Sequence, residues 1–219
     1  MLFRSASYFD SFFIAPSSTG IWPDSFPELA RYTFPEHVFF DGFWEIQNPG
    51  FIRTPEETLN EVFLIGNRFL IYAQPKVLTQ HTADVINLRK RIKHVQYAAR
   101  YMDDVGVTVS DPKVRAKRFV LDEPERQVTL VTMYNKSGVE GARIDVDAGA
   151  FGPVREAAAA VLGGGVIDLK PVAAGSRVSF TAPRDALSAV LLVHRGTDVI
   201  RQANEAEQIP PLGKQDTFK

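Results

Sequence analysis

Between residues 112 and 195, hydrophobic and polar positions alternate in short Val-, Ala-, Thr- and Leu-rich runs separated by Gly, Pro and Asn. A period of two puts successive side chains on opposite faces of a sheet. The pattern predicts strands over 115–121, 127–134, 142–146, 155–161, 166–169, 177–181 and 187–194. Turns are expected at Asp122-Glu123-Pro124-Glu125, Asn135-Lys136-Ser137-Gly138, Gly163-Gly164-Gly165, Ala174-Gly175 and Pro183-Arg184-Asp185. Short strands joined in this way indicate an antiparallel β-sandwich. Within them, Ala157 to Ala160 also suits a helix by intrinsic propensity.

Upstream the spacing changes. Residues 8–15, with Phe9, Phe12, Phe13 and Ile14, suit a buried strand or a short helix, and Pro16 breaks the run. Ser25 and Pro27 open a short helix through Arg31, and β character returns over 37–40. Thr54-Pro55-Glu56-Glu57 combines an N-cap Thr, Pro at the first helical position and Glu at the third, the pattern of a capping box. Leu59, Val62, Phe63, Gly66, Phe69, Leu70 and Ala73 follow at helical spacing and predict a helix over 55–73. A second helix is expected over 79–102, with Val85, Leu88, Ile92, Val95, Ala99 and Met102 inward and Arg89, Lys90, Arg91, Lys93 and Arg100 on an exposed face. After Gly196 a loosely held polar tail is expected.

Aromatic content divides the chain at the same seam: 12 of the 16 Phe and both Trp precede residue 71. The expected organisation is therefore α+β, with units at 1–111, 112–195 and 196–219. A net charge of −1 gives no global attraction to nucleic acid or anionic membrane, and basic residues on one helix face read as solvation. No nucleic-acid partner is expected. The absence of Cys removes disulfides and thiolate chemistry but leaves the compartment open. No apolar run approaches the roughly 20 residues of a membrane-spanning helix, so no membrane partner is expected.

There is no zincin histidine pair, phosphate loop, nucleophile elbow or dinucleotide fingerprint. No metal or organic cofactor is expected. His37, His81, His94 and His194 belong to different elements and read as structural, and the sequon Asn135-Lys136-Ser137 coincides with a turn. What remains is a loop-rich region holding Trp22, Asp24, Glu28, Arg31, Tyr32, Glu36, His37, Asp41, Trp44, Glu45 and Asn48. Carbohydrate chemistry uses these residue types: carboxyl groups flank the scissile bond, aromatic faces stack on sugar rings, and polar groups bind hydroxyls. The competing reading is that the aromatics close a core and the carboxylates cap turns.

Four stretches carry a resemblance: Phe26-Pro27-Glu28-Leu29-Ala30-Arg31-Tyr32-Thr33-Phe34-Pro35-Glu36, Phe63-Leu64-Ile65-Gly66-Asn67-Arg68-Phe69, Tyr97-Ala98-Ala99-Arg100-Tyr101-Met102-Asp103-Asp104-Val105-Gly106, and Leu187-Ser188-Ala189-Val190-Leu191-Leu192. They resemble the C-terminal end of an uncharacterised family of glycoside-hydrolase-like proteins in which a (β/α)8 barrel precedes a β-sandwich. The likeness spans most of the chain. It implies that 37–40 is the last barrel strand, 55–73 the last barrel helix, and 41–53 a loop on the face where barrel enzymes build active sites.

On that reading Asp41, Trp44 and Glu45 are the best-placed substrate contacts, joined by Trp22, Asp24, Arg31 and Glu36. The resemblance also implies a carbohydrate substrate and roughly six βα units upstream, with at least one catalytic carboxylate among them. Met1-Leu2-Phe3-Arg4-Ser5 resembles the translation of a common sequencing adapter, so the native protein is expected to continue upstream of Ala6. The chain alone is then expected to be catalytically silent, and an exported parent is compatible with the chemistry. Two other readings are a non-catalytic sandwich that binds a glycan or packs against a partner domain, and a self-contained structural protein. Exposed faces on Phe119, Tyr134, Phe151 or Phe180 would favour glycan binding.

Overall fold

The computed structural model describes residues 11–14, 32–33, 38–42, 55–70, 79–148, 151–184 and 186–211. Among them the fold is α+β, with most strands antiparallel and arranged in two sheets.

A small third sheet is parallel. It comprises β1 (Ser11–Ile14), β2 (Val38–Gly42) and β3 (Arg68–Leu70), in that order, with β2 central. Asp41 pairs with Ile14 on one side and Phe69 on the other. Helix α1 (Pro55–Leu64) connects β2 to β3 as a parallel crossover.

The helix expected over 55–73 therefore ends early, at Leu64. Gly66 takes a positive φ of 76°. Its N–H donates to Phe63 O, and the Asn67 N–H to Val62 O, both at 3.1 Å. This is the Schellman arrangement, in which a left-handed residue stops the helix. Read only as an apolar position, Gly66 hides that stop. A further consequence is that 37–40 is not the last parallel strand, because β3 follows it.

Helix α2 (Gln80–Gln96) begins where expected, with the Thr79 side chain accepting from Thr82 N at 3.2 Å. It stops short of Met102, because the chain enters β4 (Arg100–Tyr101) and then β5 (Val107–Val109). The remaining strands are β6 (Val114–Asp122), β7 (Gln127–Asn135), β8 (Arg143–Asp147), β9 (Glu156–Val161), β10 (Val166–Asp168), β11 (Val172–Ala174), β12 (Arg177–Thr181) and β13 (Leu187–Arg195). The larger sheet has the order β10-β9-β13-β7-β6-β4, and the smaller β11-β12-β8-β5. Thus β4 and β5 precede residue 112 yet are hydrogen-bonded to strands that follow it.

Two cores result. Between the sheets lie Val114, Ala116, Val131, Met133, Ile144, Val146, Val178, Phe180, Val190 and Leu192. The other face of the large sheet packs Phe119, Leu121, Leu130, Leu187, Ala189 and Leu191 against Phe63 of α1 and Val85, Leu88, Ile92 and Val95 of α2. Every residue of β13 except Arg195 is buried, which explains a continuous apolar run where a two-layer sandwich would alternate. The same burial makes Ala157 to Ala160 strand rather than helix, since β9 lies between β10 and β13.

The segment after Gly196 is partly ordered by packing. Helix α3 (Val199–Asn204) buries Val199 and Ala203. Three side chains at i, i+4 and i+7 of α2 grip this segment through its main chain: Asn87 exchanges two bonds with Ile209, Arg91 donates to Ala203 O, and His94 Nε2 donates to Val199 O. Of the expected basic face, Arg89 and Arg91 are used internally, while Lys93 and Arg100 are exposed.

Candidate functional site

Of the seven substrate-contact candidates, Asp41 lies within the described residues, on the central strand of the parallel sheet one residue from its carboxyl end. Trp22, Asp24, Arg31, Glu36, Trp44 and Glu45 lie outside the described residues. Thr54, the expected N-cap of α1, does so as well.

The geometry around α1 follows from its crossover. Residues 65–67 reverse the chain into β3, so α1 runs against the direction of the parallel strands, and its first turn lies towards the end where β2 finishes. The carboxyl end of the helix is fixed by the sandwich layer. Arg89, buried, donates Nη2 to Val62 O at 3.1 Å and Nη1 to Asn67 O. Gln96 Nε2 reaches Phe63 O at 3.5 Å, and Thr132 Oγ1 on β7 donates to Leu64 O at 2.6 Å. The last carbonyls of a helix carry partial negative charge, so a guanidinium suits them. Burial pushes the Arg89 pKa down to about 10, which leaves it cationic at neutral pH.

The amino end of α1 instead borders a cleft of about 440 Å³, lined by Glu57, Glu61, Pro112, Lys113, Arg115, Tyr134, Lys136 and Ser137. Glu57 and Glu61 are one turn apart on the same helix face. Arg115 Nη1 donates to both carboxylate oxygens of Glu61, at 2.6 Å to Oε2. Lys136 Nζ donates to Glu57 Oε1, and that hydrogen bond and charge hold its ammonium above the ordinary lysine value. Arg115 and Tyr134 are cross-strand partners on β6 and β7. Tyr134 is only 6% exposed, and its hydroxyl has no hydrogen-bond partner among the described residues. The Lys113 main-chain N–H donates to Asp111 Oδ1 at 2.9 Å, while its ammonium has no carboxylate partner among the described residues.

These cleft residues are not legible as a site from the sequence. Glu57 signals a capping box with Thr54, which lies outside the described residues, and it is also paired with Lys136, 79 positions away. Glu61 and Arg115 are separated by 54 positions. Local periodicity carries no information about which distant charges meet.

The other side chains singled out in the sequence have structural partners. Asn135 of the sequon is 2% exposed, donating to Val139 O at 2.9 Å and accepting from Val139 N at 2.8 Å, so its amide staples a turn. His81 Nε2 meets Asn60 Oδ1 at 2.8 Å, and His194 meets Thr129 Oγ1 and Gly152 O. His37 lies outside the described residues. Among the described residues no cluster of three His, Asp or Glu side chains has metal-binding geometry. Phe119, Tyr134 and Phe180 are buried and Phe151 packs on His194 at 5.4 Å, so none presents an open aromatic platform. No protein-family model matches the chain, and no curated protein matches it.

Proposed function

We propose that the chain is the C-terminal portion of a carbohydrate-active, glycoside-hydrolase-like protein and that it closes a (β/α)8 barrel and buttresses it with a β-sandwich. One observation carries this reading: three parallel strands lie side by side in chain order, the second and third joined by a helical crossover, and Asp41 lies near the carboxyl end of the central strand. Ligands of parallel α/β folds bind at that end. Asp41, together with Trp44 and Glu45 shortly after it in the sequence, contacts the sugar, and Trp22, Asp24, Arg31 and Glu36 add further contacts. The reaction is glycoside hydrolysis by a carboxylic acid and a carboxylate drawn from separate strands, with no metal or organic cofactor.

The three described parallel strands are fewer than the eight a barrel needs, so the partner of this chain is the rest of the same barrel. The alternative, a sandwich that serves domain packing, draws support from the buried aromatics and from the bonds that tie α1 to α2 and β7. Assaying a panel of aryl glycosides tests the leading reading. The chain alone is expected to be inert, and the protein translated from a reading frame extended upstream of Ala6 is expected to turn over at least one substrate. Turnover by the chain alone, or an extended protein inert on every glycoside, would overturn it.

A further inference from the structure

Where β13 ends, the chain turns at Gly196 and Asp198, which take positive φ of 112° and 70°, and residues 197–209 then return along α2 as a strap. Helix α3 within it has six residues, and the Asp198 side chain makes no cap at its start. The side chains of α2 hold the strap by its main chain. Asn87 Nδ2 donates to Ile209 O at 2.9 Å and Asn87 Oδ1 accepts from Ile209 N at 2.6 Å. Arg91 Nη1 donates to Ala203 O and His94 Nε2 to Val199 O, both at 3.1 Å. Apolar anchorage is small: Val199 and Ala203 are buried and Ile200 partly so, against α2 and β9. A segment hinged at one end and holding few buried apolar groups opens at a lower free energy than the core sheet.

One member of this clasp titrates near neutrality. Around His94 lie the cations Lys90, Arg91 and Lys93 of its own helix and Arg126 of the β6–β7 turn. Carboxylates of the adjoining elements are engaged elsewhere: Glu123 by Arg126 at 2.7 Å, and Asp198 and Glu205 of the strap by Arg201 at 3.0 and 2.7 Å. Glu125 is exposed to solvent, and Arg195 at the root of the strap donates to Glu123 O. Burial, with the charges of Arg126 and Lys93, holds the imidazole below the ordinary histidine value, against the bond to Val199 O that favours the charged form. An open strap returns His94 to water, so the open form takes up the proton first. Closure is then fully favoured above the ordinary histidine value and weakens as the pH falls through it.

We propose that the strap is a pH-sensitive latch: acidification charges His94, residues 197–209 leave α2, and the sandwich stays folded. Opening uncovers the apolar faces of α2 and β9 that lie under Val199 and Ala203.

Hydrogen exchange of the full chain read by mass spectrometry at pH 8 and pH 5, corrected for intrinsic rates, tests the latch. Peptides covering 197–209 are expected to lose at least about threefold in protection between the two, while peptides from β7 and β13 lose less. His94→Gln keeps an amide donor for Val199 O but does not titrate, and it is expected to remove the pH dependence of the strap. His194→Gln is expected to leave that dependence in place. Protection of β13 at pH 8 shows that each variant is folded. Unchanged strap protection in the unsubstituted chain would overturn the proposal. So would a parallel loss in the strap and β13, which is global unfolding, or a strap response that survives in His94→Gln. The unsubstituted chain alone decides the first two outcomes, so a variant that fails to fold leaves the test intact.

Discussion

At its carboxyl end α1 gives its last carbonyls to Arg89, Gln96 and Thr132, whereas at its amino end Glu57 and Glu61 meet Lys136 and Arg115 beside an open cleft. Hydrogen bonds at the first end are buried, so breaking one leaves a desolvated group without a partner. Ion pairs at the second end are partly solvated and individually weak, so breaking one costs little. One end fixes the helix on the sandwich, and the other borders the cleft.

Gly66→Ala is the strongest way to break this comparison. A Cβ there would lie 2.7 Å from Phe119 Cε1 on a residue with φ of 76°. Steric overlap and left-handed strain together are expected to cost about 3 kcal/mol in urea unfolding. A loss below about 0.5 kcal/mol would mean that the carboxyl end of α1 is not rigidly docked. Arg89→Met keeps the volume but removes the bonds to Val62 O and Asn67 O. Its expected cost is about 2 kcal/mol by the same measurement. Thr132→Val, which deletes the 2.6 Å bond to Leu64 O without changing shape, is expected to cost about 1 kcal/mol.

Acid sharpens the comparison from another side. Burial holds His94 and His194 below the ordinary histidine value of 6.5, so the unfolded chain takes up protons before the folded chain does. Stability is then full above the unfolded value and falls as the pH drops through it. Urea midpoints measured from pH 8 to pH 5 are expected to decrease, and His194→Gln to flatten that slope; an unchanged slope would exclude His194 as a contributor. The smallest effect is expected at the open end of α1. Glu61→Gln, with its partner Arg115 at 41% side-chain exposure, should change stability by no more than about 0.5 kcal/mol in the same urea unfolding.

The sandwich strands are legible because period-two runs end at Gly, Pro and Asn turns, and 177–181 coincides with β12. Strands β4, β5 and β11 are too short for a period to register, and β4 continues the helical spacing of Val95 and Ala99. The end of α1 is misread because Gly66 fits the apolar stripe while its backbone ends the helix. Asp41, expected to open a loop, is instead the penultimate residue of β2, because the pairing with β1 and β3 extends the strand past the aromatic run. The cleft is not legible, because it assembles side chains from α1, β6 and the β7 turn that only the tertiary fold brings together.

Chemical-shift mapping of the isotopically labelled chain with a soluble oligosaccharide tests the central claim most directly. The account expects shifts confined to the carboxyl end of β2 and the first turn of α1, with the outer face of β8 and β12 unchanged. Shifts on that outer face, with none around Asp41 or Glu57, would contradict it and make the sandwich itself the binding module.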